Sequence, residues 1–307
     1  MRVASLSKLV TVICAMTLVD SGDLDLDEDI STYFDAEVRN PGFSNTPITT
    51  RMLMQHTSSI YDSSTFESSV GSGTSRTTLD LLKLRSTYSG QRPGTSFAYT
   101  NFGYSVIASI CELISGKTFN TLAREVLFDP LGIDASYVAS KLNDTSNIAA
   151  IYRAGHSMGR TVQNMLNVRE SDTLGHDHHL AQGNLNISAI DFARIMAMLG
   201  NDGELNGVRI LTEESVREIH DTDVQGPSYK QGLATRYMKI AFMPGDGAYW
   251  HTGSAYGTFA QYIYSADGTN RGVVVVTTGS STGRAASGMI NVCTAMSERA
   301  WKGLDFE

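Results

Sequence analysis

The sequence predicts a mixed α/β protein of the α+β type, in which a helical lobe is followed by an antiparallel sheet. Apolar residues recur with helical spacing over most of the first 200 residues, whereas strand-like runs separated by tight turns dominate from about residue 229. The last segment, 284–301, returns to helical spacing and is expected to cover one face of the sheet. We therefore expect residues 1–200 and 201–307 to form two interleaved lobes of one catalytic unit.

Composition agrees with a compact globular chain. The 307 residues are 41% hydrophobic and 18% charged, as in folded globular proteins and unlike disordered ones. The formal net charge is −8, so the chain has no overall positive field that would attract nucleic acid. We expect a small-molecule or peptide substrate as partner and no nucleic acid.

The beginning of the chain looks like a secretory leader, because Arg2 and Lys8 precede an apolar run from Leu9 to Val19. No cleavage pattern of small residues follows this run, and it is shorter than the roughly 20 residues that span a bilayer. We interpret residues 5–19 as a helix that is buried in the domain and ends at Gly22. No transmembrane segment is predicted.

Further helices follow wherever apolar residues at helical spacing are bounded by Gly, Pro or Ser. Ser188 stands three residues before Asp191, which predicts a capping box, and Thr212 precedes two glutamates that suit the positive end of a helix. The predicted helices are 50–56, 78–86, 101–115, 120–128, 189–199 and one that begins at 213.

The sheet is predicted from four strand-like runs near the end of the chain. They cover 233–243, 248–251, 257–264 and 272–278. Residues 267–270, Asp-Gly-Thr-Asn, are typical of a hairpin connection, so the neighbouring strands should run antiparallel.

Neither a disulfide framework nor a metal site is expected. Cys14, Cys111 and Cys293 lie far apart in apolar segments and should be buried thiols. The histidine cluster at 176–179 has metal-ligand chemistry but lies in a glycine-flanked segment with no fourth ligand, which favours a solvated loop or a loop at the substrate rim. The acidic stretch 23–29 lacks the glycine and glutamate of a calcium loop. No cofactor is expected.

Three separated segments carry candidate catalytic groups, and the first is Ser5-Leu6-Ser7-Lys8. A serine hydroxyl is a poor nucleophile at neutral pH and needs a base in contact and an oxyanion site beside it. Residues three apart share a helix face, which places Lys8 beside Ser5. The sequence predicts Ser5 as nucleophile and Lys8 as its proton acceptor. Taken alone, the same motif also fits a capped helix whose lysine reaches solvent.

The second and third segments are 99–101, Tyr-Thr-Asn, and 251–254, His-Thr-Gly-Ser. A tyrosine on a turn transfers a proton if neighbouring cations lower its pKa. On the predicted strand, Gly253 would let a substrate approach the backbone closely, and the amide of Ser254 would face an oxyanion.

The types, order and spacing of these motifs resemble those of the serine β-lactamase and penicillin-binding-protein superfamily. The closest branches are class C β-lactamases, D-Ala-D-Ala carboxypeptidases and carboxylesterases of that fold. Four further segments resemble patterns of this family: 47–58 (Pro-Ile-Thr to His-Thr-Ser), 93–104 (Pro-Gly to Gly-Tyr), 130–132 (Pro-Leu-Gly) and 183–191. The resemblance covers nearly the whole chain and implies a β-lactamase/transpeptidase-like fold.

The resemblance also implies a role for each site residue. Ser5 would be acylated, Lys8 would be the general base of acylation, and Tyr99 would transfer the proton to the leaving group. Such a mechanism requires no metal.

Other positions would bind the substrate. Asn101 would bind the acyl-side amide, and His251 would orient either the substrate carboxylate or the tyrosine. The amides of Ser5 and Ser254, next to Gly253, would form the oxyanion hole. Class C β-lactamases have lysine where this chain has His251, which argues against an efficient β-lactamase.

The predicted function is therefore that of a serine hydrolase acting through an acyl-enzyme on an ester, amide or peptide. The alternative is a protein of the same fold that accepts an acyl group without turnover, or an acyltransferase. Family members place a helix and two strands before the serine motif, whereas only residues 1–4 precede it here. Either the chain is truncated, or other elements, such as another subunit, complete the sheet. Family members are mostly exported or bound to the cell envelope.

Overall fold

The structure is a computed structural model that describes residues 1–70, 76–176 and 179–303. The α-helices in these ranges are α1 (Ser7–Asp20), α2 (Ser31–Phe34), α3 (Thr50–Met54), α4 (Ser64–Ser69), α5 (Thr78–Leu82), α6 (Phe102–Ser115), α7 (Phe119–Ala123), α8 (Val162–Leu166), α9 (Ala189–Gly200), α10 (Glu213–His220) and α11 (Asn291–Gly303). The strands are β1 (Ile151–Tyr152), β2 (Met158–Arg160), β3 (Glu204–Leu205), β4 (Val208–Arg209), β5 (Val224–Gln225), β6 (Lys230–Gln231), β7 (Arg236–Ile240), β8 (Met243–Ala255), β9 (Thr258–Ser265) and β10 (Gly272–Thr278).

The apolar run near the start of the chain forms the central helix of the molecule. A single 3-10 turn, Ala4–Leu6, leads directly into α1, and residues 6–16 of these two elements are all buried. Helices α6, α7 and α10 surround α1, which explains why it is apolar on every side. No helix in the described part of the chain meets the length and apolarity that crossing a membrane requires.

The large sheet has six antiparallel strands in the order β10-β9-β8-β7-β6-β5. Strands β8 and β9 are joined by a two-residue turn, Tyr256-Gly257, whose φ angles are both positive, at 57° and 106°. This is the turn type that matches the twist of a hairpin. Pairing between β7 and β8 ends at Arg236 and Trp250. In residues 251–255, one edge of β8 is therefore free of a neighbouring strand.

Helices cover both faces of this sheet. Ala260 and Tyr262 of β9 pack in the main core with Phe192 of α9. Val275 of β10 packs on the opposite side in a separate cluster with Cys293 of α11. The predicted fold class, helices combined with an antiparallel sheet, is confirmed. Cys14, Cys111 and Cys293 are buried thiols, also as predicted.

The structure corrects two details of the prediction. Residues 284–290 are not helical: the chain turns through Gly288, whose φ is +85°, and α11 begins only at Asn291. Ser188 caps α9 by accepting from the backbone N–H of Asp191, but its hydroxyl donates to the Asp191 carboxylate, so the reciprocal bond of a capping box is not formed.

Candidate active site

Ser5 lies in the 3-10 turn before α1 and lines a cavity of about 620 Å³. Tyr99 and Asn101 from the turn before α6, and Ser254 from the free edge of β8, line the same cavity. Three separated parts of the chain therefore meet around the Ser5 hydroxyl.

Lys8 is fully buried one turn beyond Ser5. Its Nζ donates to Asn101 Oδ1 at 2.9 Å and to the carbonyl oxygen of Gln182 at 2.8 Å, and it lies 5.1 Å from the centroid of the Tyr99 ring. These contacts connect α1 to the turn before α6 and to the segment that precedes α9.

The Tyr99 phenol contacts the side chains of both Lys8 and Ser5, although the residue still exposes 39% of its surface. Burial raises the pKa of this phenol, but the charge of Lys8, the hydrogen bonds with Lys8 and Ser5, and the charge of Arg236 together bring the pKa below its ordinary value. The phenol beside Ser5 therefore loses its proton more readily than that of an ordinary tyrosine.

Asp62, which the sequence analysis missed, holds the tyrosine–asparagine turn in place. Its carboxylate accepts from Thr100 Oγ1 at 2.6 Å, from the backbone N–H groups of Asn101 and Phe102 at 2.8 Å, and from Asn101 Nδ2 at 2.9 Å. The same carboxylate thus caps α6 and orients Asn101 toward Lys8. No local pattern indicates this role, because Asp62 lies about 40 residues before the helix that it caps.

His251 is buried and is not among the residues that line the cavity. Its Nδ1–H donates to the carbonyl oxygen of Thr252 at 2.8 Å, which leaves Nε2 without a proton. Burial and the charges of Arg236 and Lys8 lower the pKa of His251 well below its ordinary value, so the ring is neutral. Its centroid lies 6.3 Å from that of Tyr99. Of the two roles predicted for His251, this placement favours orienting the tyrosine.

Gly253 is needed for a reason different from the predicted one. A Cβ at this position would lie 2.2 Å from the carbonyl oxygen of Val3, so only glycine lets β8 pass this close to the turn that carries Ser5. The close approach is therefore to the protein's own backbone. This correction leaves the neighbouring amide of Ser254 available.

The position of Ser254 in the hairpin determines where its amide points. Ala255 pairs with Thr258 next to the two-residue turn, and hydrogen-bonded and non-hydrogen-bonded pairs alternate away from such a turn. The N–H of Ser254 therefore points away from β9, toward the free edge of β8. The preceding residue, Gly253, lies against the turn that carries Ser5, so the amide of Ser254 remains a candidate for the oxyanion hole.

Two arginines that the sequence analysis did not single out, Arg236 and Arg284, also line the cavity. The Arg236 guanidinium lies 4.5 Å from the ring centroid of Tyr229, and Arg284 donates to Thr252 Oγ1 at 3.1 Å. Neither arginine belongs to any of the ion pairs formed within the described residues. Arg284 reaches the cavity because residues 284–290 form a loop instead of the predicted helix.

Part of the histidine cluster can be compared with the prediction, although Asp177 and His178 lie outside the described residues. His176 and His179 are buried, and the His179 ring contacts that of Phe66 with a centroid distance of 5.3 Å. The prediction of a solvated loop is wrong for these two residues. Among the residues that the structure describes, no group of three His, Cys, Asp or Glu side chains could hold a metal ion.

Comparison with known proteins agrees with this geometry. A sequence profile of the family described as Beta-lactamase matches residues 1–290. The chain belongs to the Beta-lactamase family. The family resemblance predicted from the motifs is thereby confirmed.

The relatives include a carboxypeptidase/endopeptidase and a penicillin-binding protein. The D-alanyl-D-alanine-carboxypeptidase/endopeptidase AmpH of Escherichia coli K12 is 30% identical over 152 residues, which are 45% of this chain and 37% of AmpH. Penicillin-binding protein 4 of Amycolatopsis lactamdurans is 29% identical over 140 residues, 43% of this chain and 34% of that protein. The alignments thus span little more than a third of these relatives.

Solved structures match over almost the whole chain. A D-amino acid amidase from Ochrobactrum anthropi SV3 superposes with a TM-score of 0.72 at 21% identity, covering 98% of this chain and 82% of the amidase. A class C β-lactamase mutant gives a TM-score of 0.71 at 16% identity, with coverage of 98% and 82%. These similarities show that the Beta-lactamase fold is shared.

Proposed function

We propose that this protein is a serine hydrolase that forms an acyl-enzyme at Ser5 with an ester, amide or peptide substrate. The observation that carries the proposal is the position of the Tyr99 phenol, which contacts both the Ser5 hydroxyl and the Lys8 side chain at a cavity large enough for a substrate. Nucleophile, proton acceptor and cation are thus adjacent.

Acylation begins when Ser5 Oγ attacks the substrate carbonyl carbon and its proton passes to the Tyr99 phenolate. The amides of Ser5 and Ser254 stabilise the resulting oxyanion. When the tetrahedral intermediate collapses, Tyr99 returns the proton to the leaving group. Water then attacks the acyl-enzyme and gives its proton to Tyr99, and the bond between the acyl carbon and Ser5 Oγ breaks as Tyr99 returns this proton to Ser5, which releases the acid. In this scheme Lys8 remains a hydrogen-bond donor to Asn101 and to the carbonyl oxygen of Gln182, whereas the motif alone suggested it as the acceptor. The lowered pKa of Tyr99 supports the change.

The leaving-group side of the cavity supports a substrate that carries a carboxylate. Arg236 and Arg284 face it, and Arg284 holds the hydroxyl of Thr252 beside it. Guanidinium groups bind carboxylates through paired, charge-assisted hydrogen bonds. We propose a peptide with a free carboxyl terminus as the preferred substrate class, of the kind that the names of the carboxypeptidase relatives indicate.

The test combines burst kinetics with intact mass measurement. Wild type should release p-nitrophenol from p-nitrophenyl acetate in a burst, gain one acetyl group and turn over. Ser5→Ala should lose the burst and the adduct, whereas Ser86→Ala, at an exposed serine outside the cavity, should keep both. A peptide ending in D-alanyl-D-alanine should be cleaved faster than its C-terminal amide.

The same experiment separates the alternatives. A stoichiometric adduct without turnover would indicate an acyl receptor, and acceleration by an added amine or alcohol would indicate a transferase. Full activity in Ser5→Ala would refute the acyl-enzyme at this residue.

A further inference from the structure

A second cavity, of about 250 Å³, adjoins the active-site cavity. Arg2, Gln182 and Tyr256 line both of them. The remaining wall of the second cavity combines apolar side chains, such as Val70 and Met165, with the amide side chains of asparagines. Since a water molecule takes about 30 Å³ of liquid volume, a cavity of this size has room for a chain of several atoms.

Two guanidinium groups share one aromatic ring at this boundary. The Cζ atoms of Arg2 and Arg160 lie 4.9 Å and 4.0 Å from the centroid of the Tyr256 ring. Arg2 is buried, and its Nε donates to the carbonyl oxygen of Gly183 at 2.8 Å. In the part of the chain that the structure describes, no ion pair includes Arg2 or Arg160.

This arrangement costs free energy unless an anion is present. Burial lowers the pKa of Arg2, the Tyr256 phenol partly opposes this change, and the nearby charge of Arg160 adds to it, so the two cations repel each other. Burial raises the pKa of the Tyr256 phenol, but contacts with both arginines bring it below its ordinary value. The phenol thus responds to a local positive field. If the arginines only stabilised the turn between β8 and β9, one arginine against the Tyr256 ring would be enough.

Arg284 and Arg2 lie near different residues at the end of β8. Thr252, which accepts a hydrogen bond from Arg284, and Tyr256, which contacts Arg2, are four residues apart on β8 and its turn. Residues 252–255 are extended and span roughly 10 Å, and Tyr256 begins the turn with a φ of 57°. Gly253, between them, lies against the turn that carries Ser5. If the leaving group faces Arg284, the acyl group extends toward Arg2.

We propose that the second cavity is an acyl-side subsite for an anion, and that it takes aliphatic acyl chains ending in a carboxylate. The inference rests on the proposed acyl-enzyme function, because it assigns the acyl part of the substrate. Val70 and Met165 would contact the aliphatic chain, and Arg2 and Arg160 would pair with the terminal carboxylate through charge-assisted hydrogen bonds.

The kinetic test uses two esters with the same leaving group: p-nitrophenyl hydrogen adipate, which carries the carboxylate, and p-nitrophenyl hexanoate, which does not. The measured quantity is the ratio of their kcat/KM values after subtraction of the uncatalysed rates. A charged hydrogen bond contributes about 1.5–3 kcal/mol, so Arg160→Gln should lower this ratio roughly 10- to 100-fold. Arg153 is an exposed arginine on the hairpin of β1 and β2, which also carries Arg160. Arg153→Gln should leave the ratio unchanged.

A second variant opposes the anion without removing an arginine. Asn164 lines the second cavity and closes the capping box that begins at Thr161, and aspartate fills the same position in the Thr77–Asp80 capping box of this chain. Asn164→Asp should therefore fold and should lower the ratio by placing a negative charge on the wall. Thermal unfolding of each variant reports whether the fold is retained.

Direct binding keeps the two proposals separable. Adipate titrated into the Ser5→Ala protein by calorimetry should bind, and adding Arg160→Gln should weaken binding about tenfold or more. If neither ester is hydrolysed but adipate binds in this way, the subsite stands and the hydrolase fails. If both esters are hydrolysed with the same ratio in wild type, Arg160→Gln and Asn164→Asp, the subsite is refuted and the hydrolase stands.

Discussion

Two regions meet at the cavity and differ in how their polar groups are satisfied. In the catalytic turn, which we define as Ser5, Lys8, Asp62, Tyr99 and Asn101, hydrogen bonds within the protein connect Lys8, Asn101 and Asp62, and the Tyr99 phenol contacts Ser5 and Lys8. In the arginine rim, which consists of four arginines, no carboxylate of the described residues pairs with any guanidinium. The rim arginines are Arg2, Arg160, Arg236 and Arg284.

This difference assigns the chemistry to the catalytic turn and the recognition of the substrate to the arginine rim. The chain has a net charge of −8 and 32 acidic residues, yet no carboxylate among the described residues forms an ion pair with these four arginines. Partly buried charges without partners are costly, and a site tolerates that cost where a ligand supplies the counter-charge. The catalytic turn is complete without substrate, whereas the rim is completed by the substrate.

Tyr99→Phe should have the largest effect, because it removes the proton acceptor of the catalytic turn. We expect kcat for p-nitrophenyl acetate to fall about 10²- to 10⁴-fold, the usual contribution of a positioned acid–base group. In wild type the rate should rise with pH through the lowered pKa of Tyr99, and this rise should disappear in the variant.

One control variant and one further test make the result specific. Tyr61→Phe, at a tyrosine that is 58% exposed, should change neither kcat nor the pH profile. A Lys8→Ala variant with full activity would contradict the scheme, since Lys8 lowers the pKa of Tyr99.

Arg236→Gln tests the arginine rim, and its effect on the rate should depend on whether the substrate carries a carboxylate. We expect kcat/KM for a peptide with a free carboxyl terminus to fall about 10- to 100-fold, which corresponds to one charged hydrogen bond. The hydrolysis of p-nitrophenyl acetate, which has no carboxylate, should fall much less. An equal loss on both substrates would mean that Arg236 acts on Tyr99, and the division between the two regions would fail.

Asp62→Asn should destabilise the catalytic turn, because the Asp62 carboxylate holds Asn101 and the start of α6 in place. The loss of charge-assisted bonds to Thr100 and to the first N–H groups of α6 should lower the free energy of unfolding by about 2 kcal/mol, measured by chemical denaturation. Because Asn101 loses a fixed partner, KM should rise as well. Asp80→Asn provides the matched control: Asp80 caps α5 away from the cavity, so its loss should leave KM unchanged.

The last prediction concerns Glu112, a buried residue of helix α6. Glu112 accepts from the backbone N–H groups of Phe119, Gly175 and His176, and burial raises its pKa to about 7 despite these bonds. A carboxyl group whose pKa is higher in the folded state stabilises the fold at low pH. Its contribution should be lost as the pH rises from about 4.5 to about 7.

The measurement is the free energy of unfolding as a function of pH, compared with that of Glu112→Gln. The difference between the two proteins should change across this window by at most about 1.4 kcal/mol per pH unit and stay constant above it. A difference that grows above pH 7 would contradict the assignment. Glu298→Gln, on the outer helix α11, should show no such window.

The sequence singled out Ser5, Lys8, Tyr99 and Asn101 of the catalytic turn because each of them lies in a short local motif. Ser5 and Lys8 lie three residues apart on consecutive helical turns, and the glycine, proline and capping residues located α1, α6, α9 and α10 to within about two residues. The order of β8, β9 and β10 followed from alternation and hairpin turns.

The arginine rim could not be predicted in this way, because its members come from four distant segments with no shared motif. Arg236 lies on a strand, and Arg284 fell within a segment whose helical spacing was overridden by the turn at Gly288. Asp62 was missed for a similar reason, since the helix that it caps begins 40 residues later. Contacts of this kind depend on tertiary packing and leave no periodic trace in the sequence.

The free edge of β8 also limits what the site can distinguish. Since β7 stops pairing at Trp250, an extended peptide could add to residues 252–254 as a further strand, using only main-chain hydrogen bonds. Such pairing binds any extended peptide equally, whatever its side chains. Discrimination among peptides would then depend on the charges at the two ends of the groove. Under the proposed function, the protein would select substrates by the positions of their carboxylates and hardly by the side chains between them.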